Sequence, residues 1–239
     1  MLRILSSLYE RLGLNAYVEG DFAKAESWFR RLEAAEPDSI RVLRNLGVIL
    51  MAKGELEEAK AYLAKEEALF GPSFHRHAGL ADLAWAAGER EEAGRRYAAA
   101  LAEPEARKGR RHSASRPLLE ARLGICGDPA AFSRAREGLS VFHLGEAARE
   151  AGAFAEAYEH FLRAVDLDPS NWLALNNAGT MALNQLAQPK QAVALLERAF
   201  AFSPSSQVGR NLQIAREALE EGKDARPRKG LKSTKGSSR

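Results

Sequence analysis

Arg41 and Arg44 stand three residues apart with Asn45 beside them, and on a helix that spacing brings both guanidinium groups to one face. Such a trio could hold a carboxylate through charge-assisted, fork-shaped hydrogen bonds. The competing use of the same arginines is a salt bridge to Glu10 or Asp82. Asn176 and Asn177 are neighbouring amides, each able to donate and accept, and suit a peptide group as well as a helix cap or a water bridge. Tyr17, Met51 and Trp85 are large side chains that could anchor an apolar residue of a partner or pack against a neighbouring helix.

Catalytic and metal chemistry find less support. No GxxxxGK[ST] loop and no GxGxxG after a strand occur. His75 and His77 are two apart, so a helix would point them to different faces, and zinc binding at i, i+4 is closed to them. Cys126 is the single cysteine, which excludes an intramolecular disulfide, and it reads as a small half-buried residue in a turn rather than a nucleophile. The acid pairs Glu57-Glu58, Glu66-Glu67, Glu91-Glu92 and Glu220-Glu221 are interleaved with lysine and arginine and read as solvated outer faces. No catalytic residue, metal or cofactor is therefore expected.

Positioning comes from a repeat. Gly20, Gly54 and Gly88 are spaced by 34 residues, and so are Ala25, Ala59 and Ala93, Leu12, Leu46 and Leu80, and Phe29, Leu63 and Tyr97. Small residues let two helices approach, large ones fill the space toward the next pair, and glycine ends the first helix of each pair. Downstream, Leu144-Gly145, Gly152, Phe154, Ala157, Phe161, Ala164 and Pro169 restore the register. A further copy, with Ala178-Gly179, Ala192, Leu196, Ala199 and Pro204, lacks the turn glycine and slips by one residue near Leu186 to Pro189.

At these residues the chain resembles the tetratricopeptide repeat family, over five copies of about 34 residues. The resemblance implies an all-α fold, a right-handed α-solenoid of tetratricopeptide-type helix–turn–helix repeats. Residues 1–107 would hold three repeats, at about 6–39, 40–73 and 74–107. Residues 108–137 would form a basic loop and an irregular or degenerate repeat, the alternative being a flexible linker, with a helix start at Asp128-Pro129. Two repeats would follow in 138–206, at about 138–171 and 172–206, then a capping helix at 207–222 and a disordered basic tail at 223–239.

The same resemblance implies that first helices line a concave groove. Mapped onto this sequence, the groove positions include Tyr17, Arg41, Arg44, Asn45, Met51, His75, Asp82, Trp85, Glu146, Arg149, Asn176, Asn177 and Thr180. The expected function is a non-enzymatic scaffold that binds a peptide or protein in that groove. The subclass that clamps chaperone C-termini does not fit, because one frame offers Glu10 and Leu14, and the other Arg44, Val48 and Gly79.

Charge suggests a second use. The tail 223–239 carries seven basic residues and one acid, while the rest of the chain is net −3. With the basic segment 107–116, it could bind nucleic acid or another anionic surface. No aromatic residues interleave these cations, so base stacking is missing and this reading ranks second. Self-association through the ends of the solenoid is a third use. No apolar run reaches the ~18 to 20 residues of a membrane span. The N-terminal residues lack a signal-peptide pattern, so the expectation is a cytoplasmic protein without a membrane partner.

Overall fold

The computed structural model describes residues 2–107 and 116–221, and among these it holds twelve α-helices and no strand. The basic loop around 108–115 and the tail beyond 221 lie outside the described residues. The chain divides into two units, with the division near the end of the sixth helix, at Ala100/Leu101.

Unit 1 contains α1 (Leu2–Val18), α2 (Phe22–Ala35), α3 (Ile40–Lys53), α4 (Leu56–Phe70), α5 (Phe74–Ala87) and most of α6 (Arg90–Ala102). The helix starts are written in the side chains. Asp21, Ser39 and Ser73 each accept a hydrogen bond from a backbone N–H three residues on, satisfying a donor that the helix leaves free. Gly54 ends α3 with φ +83°, a left-handed conformation that costs an L-residue roughly 1–2 kcal/mol.

Unit 2 contains α7 (Arg116–Gly127), α8 (Pro129–Glu150), α9 (Phe154–Leu167), α10 (Trp172–Asn184), α11 (Pro189–Phe202) and α12 (Ser206–Glu220). Pro129 starts α8 behind the Asp128 cap, whose carboxylate accepts from Ala130 N at 2.8 Å. The expected boundary at 137/138 falls inside α8, which runs unbroken for 22 residues. Gly138 does not stop it, because a Cβ there would sit 3.1 Å from Leu167 Cβ and 3.2 Å from Ala164 O. That glycine is used for close approach to α9 rather than as a terminator.

Helix α7 is also no ordinary repeat element. Repeats in a solenoid touch only their neighbours, whereas α7 lies against both α8 and α11. Cys126 is buried in the last turn of α7 rather than half-buried in a turn.

Both units use one packing device. A Cβ on Gly13, Gly47, Gly145 or Gly179 would come within 2.6–2.7 Å of Phe29, Leu63, Phe161 or Leu196 respectively. The partner stands sixteen residues on in the first three pairs and seventeen in the last, which places the extra residue of the fifth copy. That residue sits in the turn between α10 and α11, where Ala187 takes φ +54° in place of a turn glycine. Ala25, Ala59, Ala93, Ala157 and Ala192 are fully buried in the second helices. Leu46 and Leu80 are buried as well, but Leu144, in the same column, is 55 % exposed.

Candidate functional site

In unit 1 the groove positions lie on α1, α3 and α5. Arg41 Nη1 donates to Glu10 Oε2 at 2.8 Å, and Arg41 Nη2 to Glu36 Oε2 at 2.6 Å. Glu36 first, and then Glu10, hold the guanidinium pKa above its ordinary value. Asn45 turns inward, its Nδ2 donating to the Arg41 carbonyl at 2.6 Å. Of the two acids considered from sequence, Glu10 is thus the partner of Arg41, but Arg44 does not reach Asp82.

Arg44 instead donates to Glu66 Oε1 from Nη2 at 2.8 Å and from Nε at 3.1 Å. Glu66 is 1 % exposed, so its reading as part of a solvated acid pair is corrected: it is a buried counter-ion. Arg76 Nη1 reaches the same oxygen at 3.2 Å. Arg76 also donates from Nη2 to Phe70 O at 2.9 Å and from Nε to Gly71 O, so it closes the end of α4. Two cations on α3 and α5 thus share one buried carboxylate of α4, and the Arg44 side chain remains 39 % exposed.

The aromatic positions are partly used for packing. Tyr17 lies half-buried against Phe22 at 5.5 Å, and burial raises its hydroxyl pKa. Trp85 meets Tyr97 edge-on at 6.3 Å, and the Tyr97 hydroxyl donates to Asp82 Oδ1 at 2.8 Å. Met51 packs half-buried on the core of unit 1. His75 is exposed, with its ring edge-on to Phe74.

Unit 2 brings its groove residues into one hydrogen-bonded row. Arg149 Nη2 donates to Glu146 Oε2 at 2.8 Å, and Asn177 Nδ2 donates to Glu146 Oε1 at 2.7 Å. Asn176 Nδ2 donates to Asn177 Oδ1 at 3.3 Å, and Asn211 Nδ2 to Asn176 Oδ1 at 3.0 Å. Thr180 Oγ1 donates back to the Asn177 carbonyl at 2.9 Å. The row crosses α8, α10 and α12, and Asn176 within it is only 8 % exposed. Sequence reading missed Asn211, although it stands 34 residues after Asn177, one repeat length on.

Among the described residues no group of three His, Cys, Asp or Glu side chains is placed to hold an ion. No described helix is long and apolar enough to cross a membrane.

Family models of the tetratricopeptide repeat match residues 16–65, in unit 1, and 140–171, in unit 2. No curated protein matches the chain. Among solved structures, the chain is similar to the MamA protein at 17% identity, covering 82% of this chain and 90% of that one, with a TM-score of 0.39. It is similar to YrrB, described as a TPR protein with an unusual peptide-binding site, at 14% identity over 89% of this chain and 90% of that one, with a TM-score of 0.40. It is also similar to the TPR2AB domain of yeast Sti1, in complex with pHSP90, at 14% identity over 90% of this chain and 84% of that one, with a TM-score of 0.41. A family match lies in each unit, on helix pairs that carry the same small and large columns, so the chain contains tetratricopeptide repeats at 16–65 and 140–171.

Proposed function

We propose that this chain, a non-enzymatic protein-interaction scaffold by its family, binds an extended segment of a partner protein along its first helices. The observation that carries the reading is the row Arg149–Glu146–Asn177–Asn176–Asn211, which crosses three helices of unit 2. The half-buried amides of Asn177 and Asn211, tied to the buried Asn176, keep their orientation before a ligand arrives, which lowers the ordering cost of binding. Amide side chains pair with peptide groups whatever the ligand's sequence, so this row supports affinity for backbone more than for a particular side chain.

Unit 1 would add charge. The Arg44 guanidinium is held by a buried carboxylate yet keeps its outer edge in solvent, and it favours an acidic residue on the segment. Arg41, already holding two carboxylates, contributes less.

Affinity capture with the full chain, followed by peptide arrays from the captured proteins, tests the proposal. For a captured peptide, Asn177→Ala with Asn211→Ala is expected to weaken binding by about tenfold or more, since interface hydrogen bonds are worth about 0.5–1.5 kcal/mol each. Arg44→Ala with Trp85→Ala reports on unit 1 in the same assay. Unchanged affinity in both double variants would place the binding surface elsewhere.

A further inference from the structure

Leu5, Leu8 and Leu12 follow one another on α1 at spacings of three and four, an apolar stripe. At about 100° per residue this stripe lies on the side of α1 away from Glu10, the residue that bonds Arg41 of α3. It therefore faces away from the next hairpin, and Leu5 and Leu8 are 42 % and 36 % exposed. Beside it Tyr9 stacks on Trp28 at 5.8 Å, and the Arg31 guanidinium covers the Trp28 ring at 4.5 Å. Arg11 and Arg31 are exposed, and neither pairs with a carboxylate of the described residues. This end of unit 1 is apolar with a basic rim.

The far side of α12 is its complement. A cleft of about 410 Å³ opens between α11 and α12, with Phe200, Gly209, Leu212 and Gln213 in it and the exposed Arg216, Glu217 and Glu220 along its edge, Arg216 being paired with Glu197. It lies on the side of α12 opposite Asn211, which bonds Asn176 of α10, so α11 and not α10 forms its other wall. Phe200 is 38 % exposed, and neither Glu217 nor Glu220 pairs with a cation of the described residues.

A helical repeat buries its apolar face only against a neighbour, and a solenoid end exposed to water needs a polar outer face. Here both outward faces keep apolar side chains, and their free charges are of opposite sign. We propose that the occupant of each is a second copy of this chain. The Leu5–Leu8–Trp28 face of one copy docks on the Phe200 cleft of the next, with Arg11 and Arg31 opposite Glu217 and Glu220. The two patches differ, so the contact joins unlike faces, head to tail.

Sedimentation equilibrium of the full chain over a concentration series, at low and high salt, tests this. The wild type is expected to associate, more weakly as salt rises. Arg11→Glu with Arg31→Glu makes both faces acidic, and Glu217→Arg with Glu220→Arg makes both basic. Each double variant is expected to raise the apparent Kd about tenfold or more. An equimolar mixture of the two restores complementary faces and should return to within about threefold of wild type. All four side chains are exposed, so circular dichroism should match wild type; Glu220→Arg alone repeats the measurement should a double variant unfold. A wild type that stays monomeric, or variants that associate like wild type, would overturn the proposal. So would a mixture that stays dissociated, which would assign the acidic edge to the chain's own basic tail or to another protein.

Discussion

The two units pack their helices in the same way and tie them together with different chemistry. In unit 1 charge crosses from helix to helix. Arg30 of α2 reaches Glu58 of α4 at 2.5 Å, Arg96 of α6 reaches Glu67 of α4 at 2.6 Å, and Glu66 sits buried between Arg44 and Arg76. Even the Tyr62 hydroxyl is caught in such a network, its pKa pushed up to about 12 by burial and by its bond to Glu33. In unit 2 the ties across the first helices are hydrogen bonds donated by side-chain amides, Asn177 to Glu146 and Asn211 to Asn176. Arg163–Glu137 and Arg216–Glu197, ion pairs between its helices, lie in the open, while the charge of Arg122 on α7 acts on the buried Asp168. Shared glycine and alanine columns thus specify the hairpin, and the polar residues around them decide how its stability responds to salt and pH.

The sharpest way to break that comparison is to remove a packing residue both units depend on. Phe161 is fully buried over Gly145. Phe161→Ala should cost about 4 kcal/mol through lost burial and the cavity left behind. Peptide-resolved hydrogen exchange should show the protection falling in 129–202. If residues 22–87 lose protection equally, the units are not energetically separate and the contrast between them has no thermodynamic meaning.

Glu66→Gln probes what is peculiar to unit 1. It leaves Arg76, whose side chain is 9 % exposed, beside a neutral amide, and breaking a buried ion pair costs about 3 kcal/mol. Urea unfolding should report that loss, while Arg44→Ala should cost less than about 1 kcal/mol because its side chain is 39 % exposed. Equal effects would mean that Glu66 serves Arg44 rather than Arg76.

Gly145→Ala returns to unit 2 with a smaller expected effect. The new Cβ would lie 2.7 Å from the Phe161 ring. Overpacking of that kind costs about 2 kcal/mol, read as a lower urea midpoint at unchanged slope. The corresponding position in the third copy is already Ala81, facing Tyr97 sixteen residues on, so unit 1 tolerates there the methyl that unit 2 is expected to refuse.

What could be read beforehand follows from these particulars. The columns Phe29, Leu63, Tyr97 and Phe161 were legible because a constant period reports one packing unit repeated. Arg41 with Glu10 was legible for a related reason, since both occupy first helices of adjacent copies. Glu66 was not, because next to Glu67 it looks like one more acid on a wet face. Only the fold shows that Arg76, ten residues on, and Arg44, twenty-two back, converge on it. The run of α8 through 137/138 was hidden because that boundary followed the 34-residue register, which marks where the repeat columns resume and not where the helix carrying them begins. Asn211 was missed because α12 was read as a cap, although its side chain continues the polar row of α10.

The smallest expected effect lies in pH, where the units should move in opposite directions. In unit 1, Lys53 above all, helped by Arg30, holds the Glu26 carboxyl below its ordinary value, and Arg96 and then Arg95 do the same for Glu92. A carboxyl depressed in the folded state stabilises it above the unfolded pKa, and that stability is lost as pH falls through the folded value. In unit 2, burial raises the Asp168 carboxyl, against the bonds from Ser170 and the charge of Arg122. A raised carboxyl has the opposite sign: its contribution is complete below the unfolded pKa of about 3.9 and is lost as pH rises through the folded value. As pH falls from the unfolded glutamate value of about 4.3 through the lower folded values of Glu26 and Glu92, hydrogen exchange corrected for its intrinsic rate should show α2, α3 and α6 losing protection. The turn from α9 to α10, held by Asp168 through Ser170 N at 2.9 Å and Ser170 Oγ at 2.6 Å, should hold or gain it. Asp168→Asn keeps an acceptor for the Ser170 N–H but cannot titrate, so it should flatten the pH response of that turn and leave unit 1 unchanged. A turn that responds to pH as before would mean the raised carboxyl plays no part, and the electrostatic contrast would then rest on unit 1 alone.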